Sequence, residues 1–125
     1  MNKAQGLQKF WESFRIPAYD ENSVPDKDNI AYPYLTYSVV DDSLGNVVSL
    51  TASLWYRSSS WEGVESKKDE IAKKLGEFGH YFVPIDNGYI YMIKGIPFAQ
   101  RMSDPSDDMI KRIYINVQAE FLTAY

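Results

Sequence analysis

The chain has 125 residues and a mass of 14.4 kDa, a size that favours a single domain over residues 1–125. With 45% hydrophobic, 24% charged and 15% aromatic residues, it has the composition of a folded protein. The absence of cysteine excludes disulfides, cysteine zinc sites and thiol nucleophiles. The net charge of −4 is shared equally between residues 1–57 and 58–125, so neither part is basic enough to bind a phosphate backbone. No apolar run is long enough for a transmembrane helix.

The first predicted element is a helix over residues 2–15. Asn2 and Gln5 have the spacing of a capping box, and Pro17 ends the helix. The apolar stripe of this helix comprises Leu7, Phe10, Trp11 and Phe14. Because a helix this short is only marginally stable alone, we expect its aromatic rings to pack on a sheet.

A loop is predicted over residues 17–33, where three prolines alternate with acidic residues. It exceeds the length of about 12–15 residues beyond which loops in compact domains are usually functional or disordered. Apolar and aromatic residues within it would anchor it, which indicates a partly docked arm. Its candidate partner-binding residues are Asp20, Glu21, Asp26, Asp28 and Tyr32.

A hairpin is predicted from strands at 34–41 and 47–57, joined by a turn at 42–46. The second strand alternates strictly between apolar residues and residues that are mostly Ser or Thr. This alternation is typical of a half-buried strand in an antiparallel pair. Its inward-facing set is Val48, Leu50, Ala52, Leu54 and Tyr56.

A second helix is predicted over residues 60–78, with Ser59 and Glu62 in capping-box spacing. Its apolar residues recur at helical spacing and predict an inward-facing stripe. The stripe comprises Val64, Ile71, Leu75 and Phe78.

A second hairpin is predicted over residues 80–95, with a type I′ turn at the Asn-Gly pair 87–88. Pro84 marks its first strand as an edge strand. A loop over 96–108 and a last long strand over 109–122 complete the chain. Candidate partner-binding residues in the loop are Phe98, Arg101, Asp104, Asp107 and Asp108.

The resulting element order, α-β-β-α-β-β-β, predicts an α+β fold. Short connections between successive strands require antiparallel pairing, so we expect an antiparallel sheet of four to five strands. Both helices would cover one face of this sheet and form a two-layer sandwich. The other face would be polar and rich in aromatic residues, and its candidate contact residues are Trp55, Tyr114 and Asn116.

No catalytic, metal-binding or cofactor-binding constellation is predicted. The single histidine, His80, has no carboxylate at an obvious partnering distance in the sequence and is interpreted as a surface or capping residue. The acidic loops lack the spacing and the central glycine of an EF-hand and are interpreted as solvated. The ten Tyr, six Phe and three Trp fit either an interaction surface or cross-strand pairing on an exposed face, and the sequence leaves both open.

Several segments together carry a resemblance to a known family. They are Val24-Pro25, YPYLTYS at 32–38, LWYRSSSW at 54–61, the hairpin at Asn87-Gly88, KGIPF at 94–98 and RIYINVQAEF at 112–121. Over nearly its whole length the chain resembles the tail terminator, or tail-completion, proteins of siphophages and related prophages. The predicted order of elements also fits this family, whose members are small α+β units with an antiparallel sheet.

The resemblance implies a non-enzymatic structural protein of the virion that needs no cofactor. Members of the family generally form hexameric rings at the head-proximal end of the tail, where they stop tube polymerisation and provide the surface that joins the head. The implied partners are further copies of the chain, the tail tube protein and a head-completion or connector protein, with assembly in the host cytoplasm and no membrane involved. DNA would pass through the ring without specific binding, past acidic loops that let it slide.

Within this interpretation, the outer face of the sheet would make subunit or tube contacts. The loops at 20–32 and 97–108 would meet partners along the tail axis. Two alternatives stay open at this point. One is another head–tail connector, neck or minor capsid protein, and the other is a small cytoplasmic ligand-binding module with an aromatic-lined pocket. A small enzyme is disfavoured because no acid–base or metal constellation is present.

Overall fold

The computed structural model describes residues 1–26 and 29–125, which form two helices and one sheet. The elements in chain order are α1 (Lys3–Glu12), β1 (Ala18–Asp20), β2 (Tyr34–Tyr37), β3 (Val47–Arg57), α2 (Glu62–Gly76), β4 (Tyr81–Ile85), β5 (Gly88–Ser103) and β6 (Ile110–Leu122). The strands follow the order β1-β2-β3-β6-β5-β4 across the sheet. The α+β class is confirmed. The prediction of four to five antiparallel strands is wrong, because the described part of the chain has six and β1 runs parallel to β2.

Helix α1 has the predicted capping box. The Asn2 side chain accepts a hydrogen bond from the Gln5 amide at 2.8 Å, and the Gln5 side chain accepts one from the Asn2 amide at 2.9 Å. The helix ends at Glu12, three residues before the predicted end, and Arg15 then takes a positive φ of 65°. The predicted apolar stripe is buried and comprises Leu7, Phe10, Trp11 and Phe14.

Strand β1 lies inside the segment that was predicted as a loop. Its three residues pair with β2 in parallel, in a register that places Ala18 beside Leu35. A strand of three residues is too short to show an alternating pattern, so the sequence gives no local signal for it. Residues 21–26 and 29–33 connect this strand to β2, which ends at Tyr37 rather than at the predicted residue 41.

Helix α1 lies between the two edge strands of the curled sheet. Gln8 donates a hydrogen bond from Nε2 to the carbonyl of Ala18 in β1, at 2.9 Å. Gly6 packs against Val83 and Ile85 in β4, so closely that an added Cβ would lie 2.5 Å from Ile85 Cγ2. The helix therefore contacts both edge strands from the inner side of the sheet.

The core fills the inner, concave side of the sheet, against which both helices pack. Strand β6 alternates without interruption between buried and half-buried residues from Ile113 to Leu122, as its sequence predicts. On β3 the predicted inward set is confirmed at Leu50, Ala52 and Leu54, which are at most 3% exposed. Each large apolar side chain buried in this way contributes on the order of 1.5–3 kcal/mol to folding.

Helix α2 begins and ends differently from the prediction. Its first amide, of Glu62, donates to the side chain of Ser60 at 3.0 Å, so the predicted capping box of Ser59 and Glu62 is wrong. The helix stops at Gly76, and the chain turns at Gly79, which has a φ of +80°. Phe78 lies beyond the helix and is 79% exposed, so its prediction as a core residue is wrong.

The turn of the second hairpin lies one residue earlier than predicted. Asp86 and Asn87 form the two-residue loop, Asn87 has a φ of 64°, and Gly88 already pairs with Ile85. Gly88 is required for another reason: a Cβ there would lie 2.0 Å from the carbonyl oxygen of Leu122 in β6. The prediction that β4 is an edge strand is confirmed.

Strand β5 continues through the segment that was predicted as a loop from residue 96. Lys94 pairs with Val117 of β6 and Ala99 pairs with Ile115, so five residues of β5 span the same distance as two of β6. The extra residues form a bulge at 95–98. Gly95 permits this bulge because its backbone crosses Asn116 at a distance that leaves no room for a Cβ. Pro97 therefore lies in an irregularity within a strand rather than in a loop.

Candidate functional site on the outer face of the sheet

The face of the sheet that points away from the helices, here called the outer face, carries a row of large side chains across four strands. The pairing register places Tyr34 beside Trp55, Trp55 beside Arg112 and Arg112 beside Met102. The next row along the strands pairs Ser53 with Tyr114. Side chains in such lateral pairs lie close enough to interact directly.

The rings in this row are stacked and held in place. Tyr34 and Trp55 lie 6.0 Å apart between centroids with an interplanar angle of 11°, and the Arg112 guanidinium carbon is 4.6 Å from the Trp55 ring. Trp55 donates from Nε1 to Thr36 Oγ1 at 3.0 Å, and Arg112 donates from Nε to Ser53 Oγ at 3.1 Å. The hydroxyls of two adjacent strands thus fix the orientation of both large side chains.

Tyr34, Trp55 and Arg112 of this row form the floor of a depression of about 550 Å³, here called the outer groove. Its rim carries two carboxylates, those of Glu21 and Asp104. A second depression of about 340 Å³, beside the bulge in β5, shares Thr51 and Tyr114 with the first. The two depressions therefore form one elongated surface across the sheet.

The electrostatics of the groove centre on Tyr34 and Arg112. Burial raises the pKa of Tyr34, and so do the charge and the hydrogen bond of the neighbouring Tyr32, whereas the Arg112 charge lowers it. The Asp104 carboxylate accepts hydrogen bonds from the Ser106 amide at 2.8 Å and from its hydroxyl at 2.6 Å. At neutral pH the floor thus presents the neutral phenol of Tyr34, an indole and one guanidinium.

Seven of the predicted contact residues are brought together on this face. Five line the outer groove: Glu21, Tyr32, Trp55, Asp104 and Tyr114. Phe98 and Asn116, with Tyr114, line the second depression. The Asn116 side-chain oxygen is buried with no hydrogen-bond partner within residues 1–26 and 29–125.

The other predicted contact residues lie elsewhere. Asp107 pairs with Arg57 at 3.3 Å and accepts from the Met109 amide at 2.9 Å, so it shapes its own loop. The carbonyl of Asp108 accepts from Lys111, and the carboxylate of Asp20 accepts from the Asn22 amide at 2.9 Å. Their assignment to one contact surface is therefore not supported by proximity.

Three further predicted contact residues are also separate from the groove. Arg101 lies on the helix side of the sheet, where it pairs with Glu65 at 2.8 Å and stacks 4.7 Å from the Trp61 ring. Asp26 is exposed, and its carbonyl accepts a hydrogen bond from the Asn29 amide. Asp28 lies outside the described residues.

A second surface on the outer face, here called the edge aromatic cluster, comprises His80, Phe82, Tyr89 and Tyr91. Its rings meet at centroid distances of 5.0–5.9 Å, while Phe82 remains 42% exposed and Tyr89 51% exposed. His80 is half-buried and stacks on Tyr91. Sequence reasoning did not single out this cluster, although two aromatic strands joined by a short turn predict such cross-strand contacts.

Arg112 is the other residue that sequence reasoning missed as a member of the site. Its place in the alternating pattern of the last strand indicates the outer face, but its position beside Trp55 depends on the pairing register of β3 with β6. Within residues 1–26 and 29–125, no group of three or more His, Asp or Glu residues could hold a metal ion. No helix in the same part of the chain combines the length and the apolar character that a membrane span requires.

The sequence matches no protein-family model and has no significant match among curated proteins.

Proposed function

We propose that this protein is a tail terminator subunit of a long-tailed phage or prophage. It caps the tail tube as a ring of six copies, stops tube polymerisation and provides the surface that joins the head. In this role it is a structural protein without catalytic activity. It resides at the head-proximal end of the tail and assembles in the host cytoplasm.

The observation that carries this proposal is the outer face of the sheet. Both helices pack on the inner side, where α1 contacts both edge strands. The outer face is left as the broad surface available to partners, and it presents an elongated groove and an exposed aromatic cluster. Tyrosine and tryptophan are enriched in protein interfaces because they bring a large contact area at a low entropy cost.

The two outer surfaces also suit the geometry of a ring. A closed ring uses head-to-tail contacts, so each subunit needs two different complementary surfaces. The edge aromatic cluster, which includes Phe82, supplies one of these surfaces, while the outer groove, with Trp55 and Arg112, is the surface that contacts the tail tube.

The test is the solution mass across a concentration series, with negative-stain images of the same samples and binding to purified tail tubes. Six chains of 14.4 kDa form a ring of about 86 kDa. We expect Trp55→Ala to remain folded by circular dichroism but to lose ring formation or tube binding. Arg101→Ala, on the helix side, is the matched control and should keep both. A chain that neither forms rings nor binds tubes contradicts the proposal, and preferential binding to the portal or connector would instead identify another neck protein.

A small-ligand-binding module is a second candidate, favoured by the volume of the outer groove. A depression of about 550 Å³ lies within the range of about 300–1,000 Å³ that is usual for ligand pockets. This candidate predicts a monomer at every concentration and a thermal shift with a small molecule, and ring formation would count against it.

A further inference from the structure

We infer that the outer groove binds an extended segment of a partner protein, and that this segment carries an arginine or lysine side chain seated against Glu21. The inference deepens the proposed function, because it states the chemistry of the partner at the same site. Its test uses peptides alone, so its failure leaves ring formation and tube binding to be judged separately.

The shape of the groove favours an extended occupant. Its floor spans neighbouring strands from Tyr34 on β2 to Arg112 on β6, and it continues through Thr51 and Tyr114 into the second depression. An extended chain advances about 3.2–3.4 Å per residue, so several residues can lie along such a surface with alternate side chains pointing into it.

The floor is already ordered before any partner binds. Trp55 is stacked between Tyr34 and Arg112, and its indole nitrogen is hydrogen-bonded to Thr36. Binding therefore does not have to immobilise these large side chains, and the entropy lost on association is correspondingly smaller.

The charge at one end of the groove selects a basic side chain. Glu21 is exposed at the rim, and within residues 1–26 and 29–125 its carboxylate has no hydrogen-bond or ion-pair partner. Tyr32, a residue that is 38% exposed, lines the same groove. A carboxylate near an aromatic ring can hold a guanidinium or ammonium group by an ion pair together with a cation–π contact.

Arg112 supplies the complementary contact to the main chain of the segment. Only its Nε is engaged among the described residues, by Ser53, while its stacking on Trp55 leaves the terminal nitrogens as donors. A peptide carbonyl can accept from these donors, whereas an acidic segment would have to approach the carboxylates of Glu21 and Asp104. The groove thus discriminates in favour of a basic partner.

The test is selection from a random library of twelve-residue peptides on the immobilised wild-type protein and on the Glu21→Lys variant. We expect the wild type to enrich sequences with arginine or lysine, and the variant to lose that preference. The selected peptide should bind the Glu21→Lys variant at least about fivefold more weakly by fluorescence anisotropy. Exchanging its basic residue for glutamate should restore binding to the variant.

Glu77→Lys is the matched control, because Glu77 is an exposed carboxylate at the end of α2, away from the groove. It should leave the affinity of the selected peptide unchanged. Three results would overturn the inference: no enrichment of basic sequences, equal affinity for the wild type and Glu21→Lys, or an equal loss in Glu77→Lys. Closure of the groove by a second copy, seen as a dimer that no selected peptide displaces, would also overturn it.

Discussion

Gly6 offers a direct test of how α1 closes the sheet. An added Cβ at this position would lie 2.5 Å from Ile85 Cγ2, 3.5 Å from Val83 Cγ1 and 3.6 Å from Ile90 Cδ1. The Cγ2 methyl is attached directly to the β-carbon of Ile85, so it cannot move aside as the end of a long side chain would. Gly→Ala inside a helix normally stabilises by about 1 kcal/mol, whereas overpacking a core costs about 1–3 kcal/mol. We expect Gly6→Ala to lower the free energy of unfolding by roughly 1 kcal/mol.

Urea unfolding followed by circular dichroism measures this change, with Gly63→Ala as the matched control. A Cβ on Gly63 in α2 meets only the Tyr56 ring, at an ordinary 3.4 Å, so this variant should be neutral or slightly more stable. In an Ile85→Ala background the clash is removed, and Gly6→Ala should then become stabilising. If Gly6→Ala stabilises the otherwise wild-type chain as much as Gly63→Ala does, α1 does not pack on β4 in this way.

Two further predictions concern single side chains. Burial raises the pKa of Tyr37 from 10.0 to about 12, so folding favours the neutral phenol. The resulting contribution to the free energy of unfolding is fully present below pH 10. Roughly 2–3 kcal/mol of it is lost as the pH rises from 10 to 12. The pH dependence of urea unfolding should therefore be flatter above pH 10 in Tyr37→Phe, and an unchanged slope would contradict this. The Lys74 ammonium lies 5.1–5.6 Å from the ring centroids of Phe10, Phe14 and Tyr81. Lys74→Met should cost roughly 1–2 kcal/mol of stability while Lys74→Arg retains most of it, and equal losses in the two variants would show that the charge over the rings is not the cause.

Elements with a long, regular pattern were predictable from the sequence. The alternation in β3 and β6 identified their bounds to within a residue, because a sheet face buries every second side chain over the whole strand. The capping box of α1 was equally readable, since both of its hydrogen bonds are local.

Features that depend on contacts between distant segments were not predictable in the same way. Strand β1 exists because it pairs with β2, and the bulge in β5 exists because the register with β6 shifts there. Both segments carry glycine, proline or acidic residues nearby, which locally favour a loop. The length of β5 and the parallel edge therefore came only from the tertiary structure.

The candidate site was likewise predictable only where it depends on a local sequence pattern. The period of two placed Trp55, Tyr114 and Asn116 on one face of the sheet, and the structure confirms this placement. The pairing of Trp55 with Arg112 follows from the register between β3 and β6, which alternation alone does not fix. The sequence therefore predicts which residues lie on the outer face of the sheet, but not which of them lie side by side in the groove.

The position of α1 between the sheet edges also determines the order in which the chain can complete its fold during synthesis. The helix is made before the strands of the sheet, yet Gly6 packs on Val83, Ile85 and Ile90, which are made much later. At about 5–20 residues per second, the aromatic stripe of α1 waits roughly 5–22 s for the complete sheet, because β6, which joins β3 to β5, is the last strand to be made. During this interval the stripe is a natural target for chaperones, and its docking is the step that seals a sheet already assembled from the strands behind it.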